Sequence, residues 1–460
     1  MDIVFAMISS IAIKGVSAVV EIAIQMLITN GVGVTEYGNY TFYVSLIEGA
    51  YYLLFSGSIK LNTFYLSTPS ASLSSFKKQY LRVFVAPIVA AIVLLFGIMH
   101  SAYGILAGII LLTYYFAYDS SSVFFSRGQQ LPALLGEYLL GRIVLLIGIL
   151  TVIKLNISTG LLLLFLYGLQ FATMLVWFAP HKKKLHPGTE EVHVPMQKLV
   201  EYQVSDVANS LITYSPTILQ YIIGGAFTAG FTGIISIIKK FINFISGPTA
   251  KIFLPEFSRL YKSGEKNKLE QSYLMIVRIQ MTFIGTIGTI LIGFPRLILQ
   301  MFSPDLLPYA NTFTATACCL LIVAGIGPVT GMLQMTGNER ICNRNQWFSI
   351  IAMIATWFMF RQEPLFAVHG LCVQALVEGG MKYLSVCRWF GKNIVPIKDY
   401  ALLWLPVSAV RLFSSLFNLQ YSFITAILSV VVVFLWNIAF TLNDPLVKDA
   451  LIAKFKNSDN

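Results

Sequence analysis

Charge is what this sequence has least of: 12% of its residues are Asp, Glu, Lys or Arg, against 56% that are hydrophobic. A soluble chain carries about twice that charged fraction, so a water-exposed globular surface is excluded. Cysteine is scarce as well. The five present, Cys318, Cys319, Cys342, Cys372 and Cys387, show no paired spacing, which argues against a disulfide framework or a zinc site. They read as small apolar packing residues. Of the histidines, His100 and His369 stand alone, and His181, His186 and His193 share one polar stretch. None has a cysteine, carboxylate or serine at ligand or triad spacing. A phosphate-cradling glycine loop with lysine and serine or threonine is also missing, so ATP hydrolysis by the chain is not indicated. No metal, no cofactor and no enzymatic activity are expected.

Apolar runs are abundant instead. A helix needs about 20 such residues to cross about 30 Å of hydrocarbon. About fourteen spans are expected, near 3–29, 38–59, 82–98, 103–124, 131–153, 159–179, 202–224, 231–255, 273–294, 310–334, 342–360, 365–387, 400–419 and 422–442. The fold class is therefore an all-α polytopic membrane protein. The first run is too long for a signal-peptide core and has no small-residue cleavage site after it, so it is expected to stay as a span.

The net charge of +11 does not point to nucleic acid, because of where the cations lie. With a cytoplasmic N-terminus, the outer loops hold only Lys154, Arg296 and Arg361, and the inner loops and tail hold most of the rest. That asymmetry is the positive-inside rule, and it places both termini in the cytoplasm. The inner basic residues suit anionic lipid heads. Every outer loop is short. Residues 60–81 read as a turn and a short amphipathic element on the inner surface. Residues 180–200, "PHKKKLHPGTEEVHVPMQKLV", carry three prolines and make the best linker.

The halves on either side of that linker resemble each other. "NGVGVTEYGNY" (Asn30 to Tyr40) and "IGGAFTAGFTG" (Ile223 to Gly233) superpose under an offset of 192, which sets Gly33 over Gly225 and Gly38 over Gly230. The inner turns "FFSRGQQLPAL" and "LQMTGNERICN" repeat in the same order. An even number of spans per half makes the repeats parallel, related by an axis along the membrane normal, with a cavity expected between them. The expected division is an N-terminal lobe at 1–180, a cytoplasmic linker at 181–200, a C-terminal lobe at 201–390, and two extra helices with a tail at 391–460.

Ionised groups inside the spans are functional candidates, since each costs roughly 2.5–3.5 kcal/mol at the bilayer centre on insertion scales. Lys14 and Glu21 in span one are seven residues apart, on one side of the helix and about 10 Å apart along its axis, too far for a direct ion pair. Lys239 and Lys240 sit near mid-depth in span eight, and because neighbours diverge by about 100° at most one can aim squarely inward. The 192 offset sets Lys240 over Glu48 and Asp206 over Lys14, opposite charges at equivalent positions. Arg142 in span five and Arg411 in span thirteen are the other deep cations, and arginine binds phosphate in a bidentate way. Glu378 and Lys382, four residues apart in the favourable order, are expected to neutralise each other.

The turn "GVTEYGNYTF", the segment "LITYSPTILQYIIGGAFTAGFTGIISIIKKFINFISGPTAKIFLPEFSRLY" and the segment "GMLQMTGNERICNRNQWFSIIAMI" together resemble the polysaccharide-transporter branch of the multidrug/oligosaccharidyl-lipid/polysaccharide (MOP) exporter superfamily. The resemblance runs over essentially the whole chain, including two spans beyond twelve. Many relatives carry an aspartate in span seven near the positions of Pro216 and Thr217, and this chain does not.

That resemblance implies two six-helix lobes plus two C-terminal helices. It also implies a flippase in a bacterial cytoplasmic membrane that moves undecaprenyl-diphosphate-linked oligosaccharide repeat units for capsule, O-antigen or exopolysaccharide synthesis. On this reading Lys14, Lys239 or Lys240, Arg142 and Arg411 attract the pyrophosphate, and Glu21, Glu48 and Asp206 balance charge or couple to an ion gradient. Membrane lipids, a glycan polymerase and a chain-length regulator are the expected partners, with the chain acting as a monomer. The alternative within the superfamily is a cation-coupled multidrug or metabolite antiporter. A membrane glycan polymerase or glycosyltransferase would need a sizeable outer loop, and the outer loops here are short and nearly uncharged.

Overall fold

In lipid every backbone amide needs an internal partner, and the chain meets that demand with helices: no strand occurs among the described residues. The structure is a computed structural model and describes residues 2–56, 102–127, 129–157, 159–181, 196–393 and 397–442. The expected span near 82–98, the amphipathic element at 60–81 and most of the linker lie outside the described residues. The other expected spans fall on helical chain, though the one near 131–153 passes through a π-helical segment and the one near 310–334 is broken between Gly325 and Val329 into two helices. Among the described residues, six helices are long and apolar enough to cross a membrane.

The chain packs as two units, Met1–Ile234 and Ile235–Asn460. In the first, α1 (Asp2–Val32) and α2 (Val34–Leu54) are followed by α3 (Ala102–Ser126) and α4 (Gln130–Leu134). A π-helical segment (Leu135–Leu140) then runs into α5 (Gly141–Leu155), before α6 (Gly160–His181) and α7 (Met196–Gly224). α2 lies along α7, α3 along α6, and α1 along α5.

The boundary between α1 and α2 is a single glycine. Gly33 has φ 93°, and the matching break between α7 and α8 (Ala226–Lys262) is Gly225 at φ 83°. Side-chain-bearing residues pay a steric penalty in that region, so glycine is the residue that lets each helix end and the next begin at once. One turn further on, the starts of α2 and α8 touch backbone to backbone. A Cβ on Gly38 would collide with the carbonyl oxygen of Ala226, and one on Gly230 would lie 2.6 Å from that of Val34. A Cβ on Gly233 would lie 2.9 Å from the Thr41 side chain. All three pairings exchange under the 192 shift, so the contact is self-complementary, as a local two-fold axis requires. The internal repeat read from the sequence is thus built into the packing of these two helix starts.

The second unit holds the rest of α8, then α9 (Lys266–Gly293), α10 (Pro295–Phe302), a 3₁₀ turn (Pro304–Tyr309), α11 (Ala310–Gly325) and α12 (Val329–Met335). It continues with α13 (Glu339–Met359), α14 (Phe366–Phe390), α15 (Ile397–Leu416) and α16 (Phe423–Leu442). Its densest core gathers Phe257, Leu260, Tyr273, Ile276, Met332 and Leu333, and the Tyr273 hydroxyl donates to the Ile326 carbonyl at 2.7 Å. At the α8–α9 turn, bonds from Lys268 and then Ser263 hold the exposed Glu265 carboxyl below the usual carboxylate range.

α15 and α16 both pack on α9. On α16 the buried residues are Ala426, Val433, Asn437 and Thr441, one helical stripe, and the Thr441 and Thr282 hydroxyls bond at 2.7 Å. Ile424, Leu428, Val432 and Leu435 on its other faces are exposed. An apolar helix buried on one stripe only would be insoluble in water and is at home in lipid. The chain is a multi-pass membrane protein.

Candidate functional site

Each unit carries polar groups at mid-helix depth, and the two clusters differ in chemistry. In the first unit the π-helical segment widens the helix by one residue before α5, which shifts the phase of the residues that follow; such segments recur at functional sites. Arg142 follows directly. Its Nη2 lies 2.6 Å from Glu21 Oε2 on α1, and the two side chains retain 23% and 20% of their surface. Glu21 therefore finds its charge partner on α5. The side chain of Lys14 lies outside the described residues, though its backbone belongs to α1. Within the π segment, Glu137 accepts a 2.6 Å hydrogen bond from the Ser121 hydroxyl.

Glu48 on α2 is buried. It accepts a 2.7 Å hydrogen bond from the Tyr167 hydroxyl on α6 and another from Tyr214 on α7, and Tyr214 also bonds Tyr52. Asp206, Ser210 and Tyr214 recur every four residues on α7 and share its buried face. Ser210 donates to the Gly49 carbonyl at 3.3 Å. Around these groups the aromatic rings make a continuous wall. Tyr51 and Tyr114 have centroids 4.3 Å apart, Tyr114 and Tyr118 stack at 4.7 Å, and Tyr52 stacks on Tyr214 at 5.7 Å. Phenolic rings of this kind combine apolar packing area with a hydroxyl donor, and Tyr51, Tyr114, Tyr167 and Tyr214 are all buried.

In the second unit the centre is α8 against α14. The Lys382 ammonium lies 2.6 Å from Glu378 Oε1, as the four-residue spacing predicts. Gln374 donates to the other Glu378 oxygen at 2.5 Å and reaches the Ser349 hydroxyl on α13 at 3.4 Å. Lys239 Nζ is buried and makes no hydrogen bond; the charged groups that act on it are Glu378 and Lys382. With two lysines and one carboxylate, this group counts one more formal cation than anion, and Glu378 is in direct contact with Lys382. Lys240 is exposed, so of the adjacent lysines only Lys239 turns inward. Arg411 lies on α15 and belongs to neither cluster.

Sequence reasoning passed over Glu137 and the tyrosines that hold Glu48. Glu137 sits near the start of an apolar span, where it reads as interfacial, and only the π segment gives it a role. The tyrosines were visible as residues, but their convergence from α2, α3, α6 and α7 is a tertiary fact. Cys319 and Cys372, on α11 and α14, are hydrogen-bonded neighbours, and all five cysteines are free. No group of three or more His, Cys, Asp or Glu able to hold a metal occurs among the described residues.

Neither a protein-family model nor a curated relative matches the chain. Solved structures do. The lipid II flippase MurJ in an inward closed conformation superposes with a TM-score of 0.64 at 16% identity, covering 95% of this chain and 99% of the flippase. An inward-facing multidrug resistance MATE family transporter of the MOP superfamily gives 0.57 at 15% identity, covering 81% of this chain and 98% of that one. The MATE multidrug transporter DinF-BH gives 0.58 at 14% identity, covering 85% of this chain and 94% of that transporter.

Proposed function

Starting from the fold of the MOP-superfamily transporters, which this chain shares, we propose that it is a flippase for undecaprenyl-diphosphate-linked oligosaccharide repeat units. It would act in a bacterial cytoplasmic membrane by alternating access, with both termini in the cytoplasm. The lobes would run over 1–180 and 201–390, with the helices of 391–460 as an addition. The observation that carries this reading is coverage. A lipid flippase matches 95% of the chain, against 81% and 85% for two multidrug transporters. A carrier of a lipid-linked head must keep the prenyl tail in hydrocarbon while the sugar and pyrophosphate pass through a polar interior. α15 and α16, with their exposed apolar faces, offer the tail such a surface.

Charge supports the same reading. The second unit's cluster carries one more cation than anion, and an anionic pyrophosphate is the complement of that excess. In the first unit, Arg142 has guanidinium donors beyond the one that meets Glu21, so it can hold phosphate while Glu21 holds it. Glu21, beside Arg142, would balance its charge or couple to an ion gradient, with the buried Glu48 and Asp206 as the other acids. Lys14 and Lys240 remain candidates for phosphate attraction. A cation-coupled multidrug antiporter is the second reading; the carboxylate–tyrosine cluster around Glu48 favours it.

Lys239 tests the first. Lys239→Met removes a buried ammonium without a hydrogen-bond partner, so the melting temperature is expected to hold or rise. Surface glycan in a strain dependent on this chain is expected to fall about tenfold, the loss of one charge-assisted phosphate contact, and Lys239→Arg is expected to restore part of it. Full glycan display in Lys239→Met at equal expression would remove the lysine from the mechanism.

A further inference from the structure

Arg411 has no place in either cluster, and its surroundings ask for something the protein does not supply. It sits on α15 one turn before Ser414, whose hydroxyl donates to the Gly293 carbonyl at the end of α9 at 2.7 Å. α10 starts at the next turn of chain. The Leu297 amide donates to the Gln420 carbonyl at 3.1 Å, which ties α10 to the α15–α16 connection. These two bonds bring Arg296, the second residue of α10, to the same end of the unit as Arg411.

Arg296 is exposed, with its guanidinium 5.8 Å from the centre of the Tyr421 ring. Arg411 is partly buried, and its Nη1 is fully buried without a hydrogen-bond partner among the described residues. The groups that act on Arg411 electrostatically are Arg296 and Cys318, neither of them an acid. Two like charges at one end of the unit, one with a buried donor unsatisfied, are unfavourable unless an anion completes them.

The neighbourhood names the kind of anion. Leu412, Phe413 and Leu416, which follow Arg411 on α15, and Phe417 just past its end are all at least half exposed. α10 buries Leu299 and Phe302 and exposes Arg296, Gln300 and Met301, the pattern of a helix lying along a membrane surface. An anion attached to acyl chains fits this setting, and a freely soluble one does not need it.

We propose that Arg296 and Arg411 together bind the phosphate of a lipid at the membrane surface where α10 lies. On the topology expected from the positive-inside rule this is the outer leaflet. The site rests on the membrane reading alone and not on which substrate is carried.

The test uses the full chain, purified in detergent and stripped of lipid, titrated separately with phosphatidylglycerol, undecaprenyl phosphate, phosphatidylcholine and inorganic phosphate. Bound lipid is counted by native mass spectrometry and protection is read by thermal shift. One or both phosphate-bearing anionic lipids are expected to bind, with phosphatidylcholine about tenfold weaker. Arg411→Gln and Arg296→Gln are each expected to lower that affinity about tenfold, and Arg411→Lys to retain part of it. The exposed Arg296 variant keeps the test decisive if Arg411→Gln folds poorly. Preference for undecaprenyl phosphate supports the site with a substrate-type lipid as its source, and preference for phosphatidylglycerol supports it with a bilayer lipid. Unchanged lipid affinity in Arg296→Gln, or protection by inorganic phosphate with none from any lipid, overturns the proposal. Because binding and not transport is measured, a failed flippase assignment leaves this result readable.

Discussion

Arg142→Gln is expected to abolish most surface glycan and to destabilise the protein by roughly 1–3 kcal/mol, the cost of leaving one partly buried charge without its partner. Glu21→Gln is expected to do the same from the other side, because the 2.6 Å contact is the ion pair described for either residue. The double variant separates stability from function. With both groups neutral no orphan charge remains, so most of the stability should return, while export should not, since the phosphate-binding donor is gone. A coupling energy of about 0.5–3 kcal/mol between the two positions is the expected signature of direct contact. Strictly additive losses would mean that the pair does not form in the membrane. Recovery of export in the double variant would remove Arg142 from the transport cycle.

Gly38→Leu and Gly230→Leu are expected to be comparably severe for a steric reason. In both cases a side chain would have to enter the space held by a backbone carbonyl, that of Ala226 for Gly38 and that of Val34 for Gly230. Backbone cannot rotate away as a flexible side chain can, so the starts of α2 and α8 would be forced apart. Overpacking typically costs about 1–3 kcal/mol and occasionally more; a backbone collision at a helix crossing belongs at the upper end, about 3 kcal/mol. Because the contact is self-complementary, the two substitutions are expected to give the same phenotype, with export lost and melting lowered to a similar degree. The Gly33→Ala change serves as a contrast. Its φ of 93° opposes a side chain but no atom lies within 4 Å of the added Cβ, so a loss on the order of 1–2 kcal/mol is expected without a clash. Wild-type melting and export in Gly230→Leu would show that the helix starts do not meet as described.

Much of this was legible in the residues because the membrane limits the options. Long apolar runs could only become helices, and the glycine pairs at 33/225 and 38/230 marked the repeat before any packing was known. The Glu378–Lys382 pair followed from helical spacing alone. The partner of Glu21 did not. Periodicity along α1 says which side Glu21 faces and nothing about which helix lies opposite, so Arg142 was read as a free phosphate ligand when it is also the counter-ion of a carboxylate. The Glu48 site was hidden for the same reason, since its tyrosine donors come from α6 and α7. Lys239 and Lys240 were indistinguishable in sequence, and burial separates them. The chain shares its fold with solved MOP-superfamily transporters, and the proposal of what it carries rests on coverage and on the balance of charge.

Transport by the purified chain in liposomes tests that balance most directly. Vesicles would contain a fluorescent undecaprenyl-diphosphate-linked oligosaccharide in one leaflet, with an impermeant quencher or sugar-oxidising reagent outside. The account predicts exchange of the label between leaflets with wild-type protein, at least about tenfold slower exchange with Lys239→Met, and no accumulation of a fluorescent organic cation under an ion gradient. Cation accumulation with a lipid-linked sugar that stays in its own leaflet would contradict it.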